Sequence, residues 1–200
     1  MLYKLAHIIK DKFSFLWEAI EWGNASLFYM LHKKQLAKVN KILEGISPKY
    51  IIRLATNNDV DILVHFFREQ PERAFKFFRP HEFDEKAVRK VVNNKAFLTF
   101  LVLSDNELVG YFFLRAFVNG KCFQGKMVHK DLQGRGIAKL MGVAMTKVSQ
   151  HLDLRMFGSI SSENYASMAS AKASNEIKIH KTLENGYYYI EFLPKIKIEK

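Results

Sequence analysis

The residues of this 200-residue chain that are best suited to chemistry lie in one short segment, Met127-Val128-His129-Lys130-Asp131-Leu132-Gln133-Gly134-Arg135-Gly136-Ile137-Ala138. A β-rich run precedes its glycines, and an apolar-periodic helix follows them. Gly134 and Gly136 let backbone N–H groups converge, and the helix start adds unpaired N–H groups and a positive dipole end. Arg135 adds a permanent positive charge. The segment is therefore suited to bind a pyrophosphate, while a tight strand-to-helix turn explains the same glycines about equally well.

Other reactive side chains point to no second centre. Cys122 is the single cysteine, which excludes an intramolecular disulfide framework and a cysteine-based zinc cluster. We interpret it as a small strand residue in a reducing, cytoplasmic setting. The seven histidines show no metal-ligand spacing, so no metal site is predicted.

The elements that must position the glycine segment begin near residue 50, and their predicted order is β-α-α-β-β-β-α-β-α-β-β. Asn119-Gly120 and Asn185-Gly186 predict hairpin turns, because both residue types readily take positive φ. Hairpins followed by a strand-helix-strand crossover predict a mixed sheet. The predicted elements are strand 50–55, a helix from residue 56 or 57 to about 69, helix 84–94, strands 96–103, 107–118 and 121–129, helix 136–151, strand 154–160, helix 164–173, and strands 177–183 and 187–193.

Residues 1–48 are predicted to form an amphipathic helical hairpin ahead of a second unit, residues 49–200. Apolar residues at steps of three and four predict a helix over residues 2–22, and a second helix is expected from about residue 27 to 43. Gly23-Asn24 is predicted to interrupt the two, and Gly45 to end the second. The spare apolar surface fits three interpretations: packing on the rest of the protein, a dimer or partner interface, or peripheral membrane contact.

The charge of the chain favours an anionic partner. Thirty-one Lys and Arg against 20 Asp and Glu give a net charge of +11. The lysines are spread along the chain with no dense basic tract, so specific nucleic-acid binding is not expected, and a basic nucleic-acid binder is kept as an alternative. The longest uncharged run, residues 22–32, is about half the length of a membrane span. We expect no cleaved signal and a cytoplasmic or membrane-peripheral location.

Gln133-x-x-Gly136-x-Ala138 resembles the Gln/Arg-x-x-Gly-x-Gly/Ala signature of the GNAT N-acetyltransferases, which use acetyl-CoA. The flanking residues are also similar to that family's strand and helix, and the resemblance spans roughly residues 50–193. It implies an α/β (α+β) fold with a mixed, mostly antiparallel central sheet flanked by helices. It also implies an acetyltransferase that acts on an amine of a small molecule. The whole chain further resembles members linked to bacterial surface-polysaccharide synthesis, which makes an amino sugar the first acceptor to consider.

The resemblance implies roles for particular residues. Backbone groups of Met127 and Val128 would bind the pantetheine between two splayed strands, and N–H groups of residues 134–138 would hold the pyrophosphate. Asn164 matches an Asn that contacts the pantetheine or helps to place the acceptor, and it also fits as a helix N-cap. The predicted CoA-binding residues are Met127, Val128, Gln133, Gly134, Arg135, Gly136, Ile137, Ala138 and Asn164.

The chain departs from the family pattern where proton transfer is expected. Many members carry a Tyr seven residues after this Asn, and here the position is Ala171. The fourth predicted strand carries no carboxylate as a base. His129 and Ser170 are weak catalytic candidates, and Glu69 or Glu72 would have to act through water. These departures leave open a nonenzymatic GNAT-like module that binds CoA or a partner without turnover.

Aromatic and basic residues are expected to shape the acceptor side. The resemblance places the acceptor pocket between the loop after the first helix and the last hairpin. Such residues suit an anionic acceptor such as a sugar nucleotide, and core aromatics beside a solvated basic loop are the alternative. The residues concerned are Arg73, Phe75, Lys76, Phe77, Phe78, Arg79, Tyr187, Tyr188 and Tyr189.

Overall fold

The computed structural model describes residues 14–195, so most of the helix predicted over residues 2–22 lies outside it. The order of elements from the first strand onward agrees with the prediction. The helices are α1 Ser14–Leu36, α2 Val39–Leu43, α3 Val60–Glu69, α4 Glu85–Asn93, α5 Ile137–His151 and α6 Tyr165–Ser174. The strands are β1 Ile51–Leu54, β2 Phe97–Ser104, β3 Glu107–Phe117, β4 Lys121–Val128, β5 Arg155–Ser161, β6 Asn175–Thr182 and β7 Tyr187–Pro194.

The strands form one mixed sheet in the order β1-β2-β3-β4-β5-β7-β6. The pairing of β4 with β5 is parallel, and the other neighbouring strands pair antiparallel. Sequential hairpins build β2 to β4, and α5 carries the chain across to β5. The predicted mixed, mostly antiparallel sheet flanked by helices is therefore confirmed.

Helices cover both faces of the sheet, and side chains that alternate along the strands fill the two cores. On one face, Phe100 and Phe112 stack within the cluster that α1, α2 and α5 complete. On the other face, Leu101 and Tyr111 belong to the cluster that α3 and α4 complete. Cys122 is buried in the first cluster, as expected for a small strand residue, and burial raises the pKa of its thiol to about 12.

The predicted helix break at Gly23-Asn24 is wrong, because α1 continues from Ser14 to Leu36. A glycine inside a helix costs only about 1 kcal/mol, which tertiary contacts can offset. Asn24 provides such contacts: its side-chain amide donates to the Ala116 carbonyl at 3.0 Å and accepts from the Val118 N–H at 3.2 Å. The helical path is interrupted after Leu36 instead. Gly45, with a φ of +73°, follows the end of α2 as predicted.

The N-terminal helices share the main core with the sheet. Phe28 of α1 and both Val39 and Leu43 of α2 are buried in that cluster. Packing on the rest of the protein, one of the three interpretations, therefore describes these side chains. The opposite side of α1 is exposed, with Trp22 74% and Met30 68% accessible. Among residues 14–195, no helix is both long and apolar enough to cross a membrane.

Candidate active site

A gap opens in the sheet between β4 and β5. The two strands pair in parallel through three positions, the last of which joins Phe123 to Phe157. Beyond it, β4 remains paired with β3 up to Val128, and β5 remains paired with β7 up to Ser161. Along residues 124–128, the β4 edge that faces β5 has no strand partner within the described part of the chain. Its backbone groups are available to an extended ligand.

The gap leads into a cavity of about 860 Å³ that reaches both faces of the sheet. Side chains alternate along β4, so Gln124 and Lys126 point to the α5 face and Gly125 and Met127 point to the α3 face. The half between α5 and α6, called the helix half, is lined by Gln124, Lys126, Ala138, Lys139, Ala166, Ser167, Ser170 and Ala173. The half on the other face, called the loop half, is lined by Arg73, Ala74, Phe77, Phe78, Arg79, Pro80, Phe113 and Gly125.

A cluster of backbone N–H groups lies where the helix half meets the start of α5. Gly134 and Gly136 have φ values of +77° and +81°, a conformation that favours glycine. Ile137 follows at once and is only 1% exposed, so the core anchors the helix start. In the described chain, no N–H group of residues 134–139 donates a hydrogen bond to another residue. These donors and the helix dipole favour an anion at this position.

Gln70, buried at the C-terminal end of α3, supports the loop that carries the glycines. Its side-chain amide donates to the Phe66 carbonyl at 2.8 Å. Its Oε1 accepts from the Lys130 N–H at 3.0 Å. The loop is thus tied to a helix that packs on the opposite face of the sheet. Sequence reasoning missed Gln70, because it follows a helix and matches no motif.

Lys126 places an ammonium group inside the helix half. Its Nζ donates to the carbonyl oxygen of Ala138 at 3.0 Å. Within residues 14–195, no carboxylate forms an ion pair with it. Burial lowers the pKa of Lys126 to about 8. Sequence reasoning missed this residue too, although a lysine between small and apolar strand residues was a signal.

Two buried polar atoms in the helix half, unlike Lys126 Nζ, have no hydrogen-bond partner among the described residues. Gln124 Oε1 and Ser170 Oγ are buried, and neither makes a hydrogen bond to any residue that the structure describes. Both residues line the cavity. A buried polar group without a partner costs about 1–3 kcal/mol, so such groups indicate a ligand that supplies the missing hydrogen bonds.

The predicted CoA-binding residues converge on this cavity with one exception. Met127, Val128, Gln133, Gly134, Gly136, Ile137, Ala138 and Asn164 line it. Arg135 is exposed on the loop and is not part of the lining. Asn164 Oδ1 also accepts from the Ser167 N–H at 3.0 Å, so its N-cap position and its place in the cavity coexist. Lys139 lines the cavity as well and was not predicted.

The catalytic candidates are separated. Ser170 lines the cavity, whereas His129 lies outside it, with Nε2 3.5 Å from Glu69 Oε2. Ala171 is buried in α6. Glu69 and Glu72 are also outside the cavity. As far as the described residues show, neither a carboxylate nor an imidazole lines it.

The predicted acceptor-side residues also divide. Phe77, Phe78 and Tyr187 line the cavity, together with Arg73 and Arg79. Phe75 packs on Phe83 with ring centroids 4.9 Å apart, Tyr188 packs on the main core, and Tyr189 stacks on Phe157. Lys76 Nζ lies 3.1 Å from Glu163 Oε2, which links the loop half to the residues before α6.

Comparison with known proteins identifies the fold. Neither a protein-family model nor a curated protein sequence matches the chain. Solved structures do match it. The aminoglycoside acetyltransferase AAC(6')-Ib in complex with paromomycin and acetyl-CoA superimposes with a TM-score of 0.59 at 11% identity, covering 74% of this chain and 94% of that one. A GNAT-family acetyltransferase from Streptococcus pneumoniae gives 0.59 at 14%, covering 72% and 97%.

A third structure, the GNAT domain of S. lividans PAT, gives a TM-score of 0.61 at 17% identity and covers 70% of this chain and 88% of that one. The chain has the GNAT fold. The fold expected from the segment around Gly136 is therefore confirmed. In the GNAT fold of this chain, the gap between β4 and β5 and the glycine loop before α5 belong to one cavity.

Proposed function

We propose that this chain is an N-acetyltransferase that moves an acetyl group from acetyl-CoA to an amine of a small molecule. One observation carries the proposal. The unbonded N–H cluster before α5 and the unpaired edge of β4 open into the same cavity, which crosses the sheet. A long ligand with an anionic end and an extended amide arm fits that combination.

The residues present fit coenzyme A. N–H groups of residues 134–139 would bind the pyrophosphate, with the charge of Lys139 beside them. The edge of β4 along residues 124–128 would bind the pantetheine amides as a neighbouring strand does, over about 13 Å at about 3.3 Å per residue. Gln124 Oε1 and Ser170 Oγ, which lack partners in the described structure, would accept and donate hydrogen bonds to that arm.

Coenzyme A supplies the acyl group as an activated thioester. The chain's contribution is placement: the helix half holds the donor and the loop half holds the amine, so the two meet at the gap for direct attack. The backbone N–H of Val128 would stabilise negative charge on the carbonyl oxygen, whereas that of Met127 faces β3. Since the described lining contains no carboxylate or imidazole, the amine loses its proton to water.

An amino sugar is our proposed acceptor. Phe77 and Phe78 offer flat apolar surface in the loop half, where a sugar ring can pack. Ser159 and Tyr187 line the same cavity and offer hydroxyl groups to sugar hydroxyls. Arg73 and Arg79 at this side would favour an acceptor that also carries an anionic group.

The binding step is tested by calorimetry with acetyl-CoA. We expect micromolar binding to the wild type and at least a tenfold loss in Gly136→Trp. Gly120→Trp is the matched control, since Gly120 also has positive φ (+73°) and open space in the described structure, in the turn between β3 and β4. Absence of binding to the wild type, or equal binding by folded Gly136→Trp, rejects the proposal.

A second candidate function is a CoA-binding module without turnover. Two features favour it: position 171 carries an alanine, and the described residues that line the cavity include neither a carboxylate nor an imidazole. A thiol-release assay with amino sugars, polyamines and peptides separates the two. Robust turnover with any of these amines rejects the module, whereas tight binding without turnover on every amine supports it.

The exposed side of α1 leaves two of the three N-terminal alternatives open. Trp22, Met30 and Leu31 are exposed there, and Lys33 and Lys34 follow. This surface suits peripheral contact with an anionic membrane or a homodimer. Vesicle co-sedimentation and analytical ultracentrifugation distinguish the two, and a monomer that does not bind vesicles rejects both.

A further inference from the structure

We propose that Lys126 is a catalytic residue that stabilises and then protonates the sulfur leaving the acyl donor. The proposal rests on acetyl-CoA being that donor, as set out above. It gives a function to a buried ammonium that the description of donor binding leaves unused, and it accounts for the absence of a phenol at position 171.

The depth of Lys126 in the cavity separates it from the phosphate site. Its Nζ bonds to the Ala138 carbonyl and lies 3.5 Å from the point where a Cβ of Gly142 would be. Ala138 and Gly142 are about one helical turn apart. The ammonium therefore lies deeper along α5 than the N–H groups before Ile137. Lys126 lies two residues before Val128 on β4, so an arm whose thioester carbonyl is held by the Val128 N–H would place its sulfur close to this ammonium.

The same space borders α6. The Ser174 side chain also closes on Gly142, and Ala171, one turn earlier on α6, is buried on that side. A long side chain at 171 would enter the region between α5 and α6, but alanine cannot reach it. Lys126 enters this region from β4 instead. Ser170 of α6, whose buried hydroxyl has no partner in the described structure, lines the same cavity.

The groups around Lys126 leave its charge uncompensated. α5 presents Ala138 and Gly142 to it, α6 presents Ser174 across Gly142, and Ser170 lines the same cavity. Burial is the cause of its lowered pKa, and no neighbouring charge contributes. Lys139 is the other cation of the helix half and is exposed. A buried cation without a counter-charge favours an anion that forms beside it.

The reaction balances as follows. The acceptor nitrogen attacks the acetyl carbon, the C–N bond forms, and the C–S bond breaks with its electron pair on sulfur. Lys126 donates a proton to that sulfur and later regains one from solvent, while the acceptor nitrogen releases its proton to water. A lysine pKa of about 8 is close to that of an ordinary thiol, about 8.5, so the transfer is nearly even in free energy.

The test measures the ionisation of bound coenzyme A, which is independent of turnover. The thiolate is followed by its ultraviolet absorbance across pH in the wild type, Lys126→Met and Lys126→Arg. We expect the thiol pKa to fall by about 1 unit or more in the wild type and in Lys126→Arg, and not in Lys126→Met. With acetyl-CoA and an accepted amine, kcat should fall about 100-fold in Lys126→Met and recover only partly in Lys126→Arg, which keeps the charge but cannot donate its proton.

Lys139→Met is the matched control, because it removes the exposed cation of the same half. It should weaken binding of both CoA and desulfo-CoA while the thiol pKa stays as in the wild type. Equal thiol pKa values in the wild type and Lys126→Met overturn the proposal and leave donor binding intact. A wild type that gains an acetyl group on Lys126 in intact-mass spectra also overturns it, since the amine would then be an acceptor. No CoA binding to the wild type overturns both this proposal and the proposed function.

Discussion

Lys126 Nζ lies 3.0 Å from the carbonyl oxygen of Ala138, so a buried ammonium joins β4 to the first turn of α5. The same residue pair frames the helix half of the cavity. The bond satisfies one of the three donors of the ammonium, and the charge has no carboxylate partner among the described residues. Such an arrangement costs stability, and the cost is measurable.

Lys126→Met should stabilise the protein at pH 7. The folded state lowers the pKa of Lys126 from 10.5 to about 8, so unfolding takes up a proton between these values and the free energy of unfolding of the wild type rises with pH there. The variant lacks this dependence, so its advantage of about 2–3 kcal/mol at pH 7 should shrink between pH 8 and 10.5. Urea denaturation at pH 7 and pH 9.5 measures both values. A variant less stable than the wild type at pH 7 contradicts the interpretation.

Asn24→Ala and Gly23→Ala should have opposite effects on stability. Asn24 bonds to both Ala116 and Val118, and its loss should cost about 1–2 kcal/mol despite the better helix propensity of alanine. Gly23 lies inside α1 with open space in the described structure, so alanine there should add up to about 1 kcal/mol. Thermal unfolding of the two variants compares these terms. Equal shifts of the same sign would mean that Asn24 does not hold α1 to the sheet.

Asp59→Asn should destabilise the protein at neutral pH and much less in acid. Arg53 binds both carboxylate oxygens at 2.6 and 2.8 Å, and Thr56 donates two further bonds, which lower the pKa of Asp59 to about 2. The stabilisation is present above the unfolded pKa of 3.8 and is lost as pH falls through 2, with a loss of about 1–2 kcal/mol. Urea midpoints at pH 7 and 2.5 test this. Glu82→Gln, in the exposed pair with Arg79, is the control and should change stability by less than about 0.5 kcal/mol.

Gln70→Ala should lower both stability and affinity for CoA. It removes the bond that holds the Lys130 N–H, and it removes the bond to the carbonyl of the buried residue Phe66. We expect a loss of about 1–3 kcal/mol in unfolding free energy and weaker CoA binding by calorimetry, since the glycine loop loses its support. Gln150→Ala, at an exposed position on α5, should change neither. Unchanged affinity in folded Gln70→Ala would show that the loop keeps its shape without this contact.

The fold could be predicted because its signals are local. Thr56 and Asp59 form a capping box ahead of α3, and the Asp84 side chain caps α4. These helix starts are therefore determined by residues that are close together in the sequence. The prediction of the turns was less complete. A hairpin turn was predicted at Asn119-Gly120 because both residue types readily take positive φ, yet only Gly120 does so there. Between β2 and β3, Asp105 and Asn106 both take positive φ.

The site could be predicted only in part, because much of it depends on contacts between distant residues. The glycine loop is recognisable from its own spacing. The role of Asn24 in holding α1 depends on a hairpin more than 90 residues away in the chain. Lys126 and Gln70 likewise acquire their environments from α5 and from the loop after β4. A local sequence pattern does not determine which face of the sheet such a side chain will lie on, or which helix it will pack against.

The end of β4–β5 pairing at Phe123 and Phe157 has a kinetic consequence. Because the cavity reaches both faces of the sheet, the two substrates would enter and the two products would depart by separate routes. Neither departure then has to wait for the other. We expect initial-velocity plots that intersect for both substrates and product inhibition without an obligatory sequence of binding, as in a random-order ternary complex.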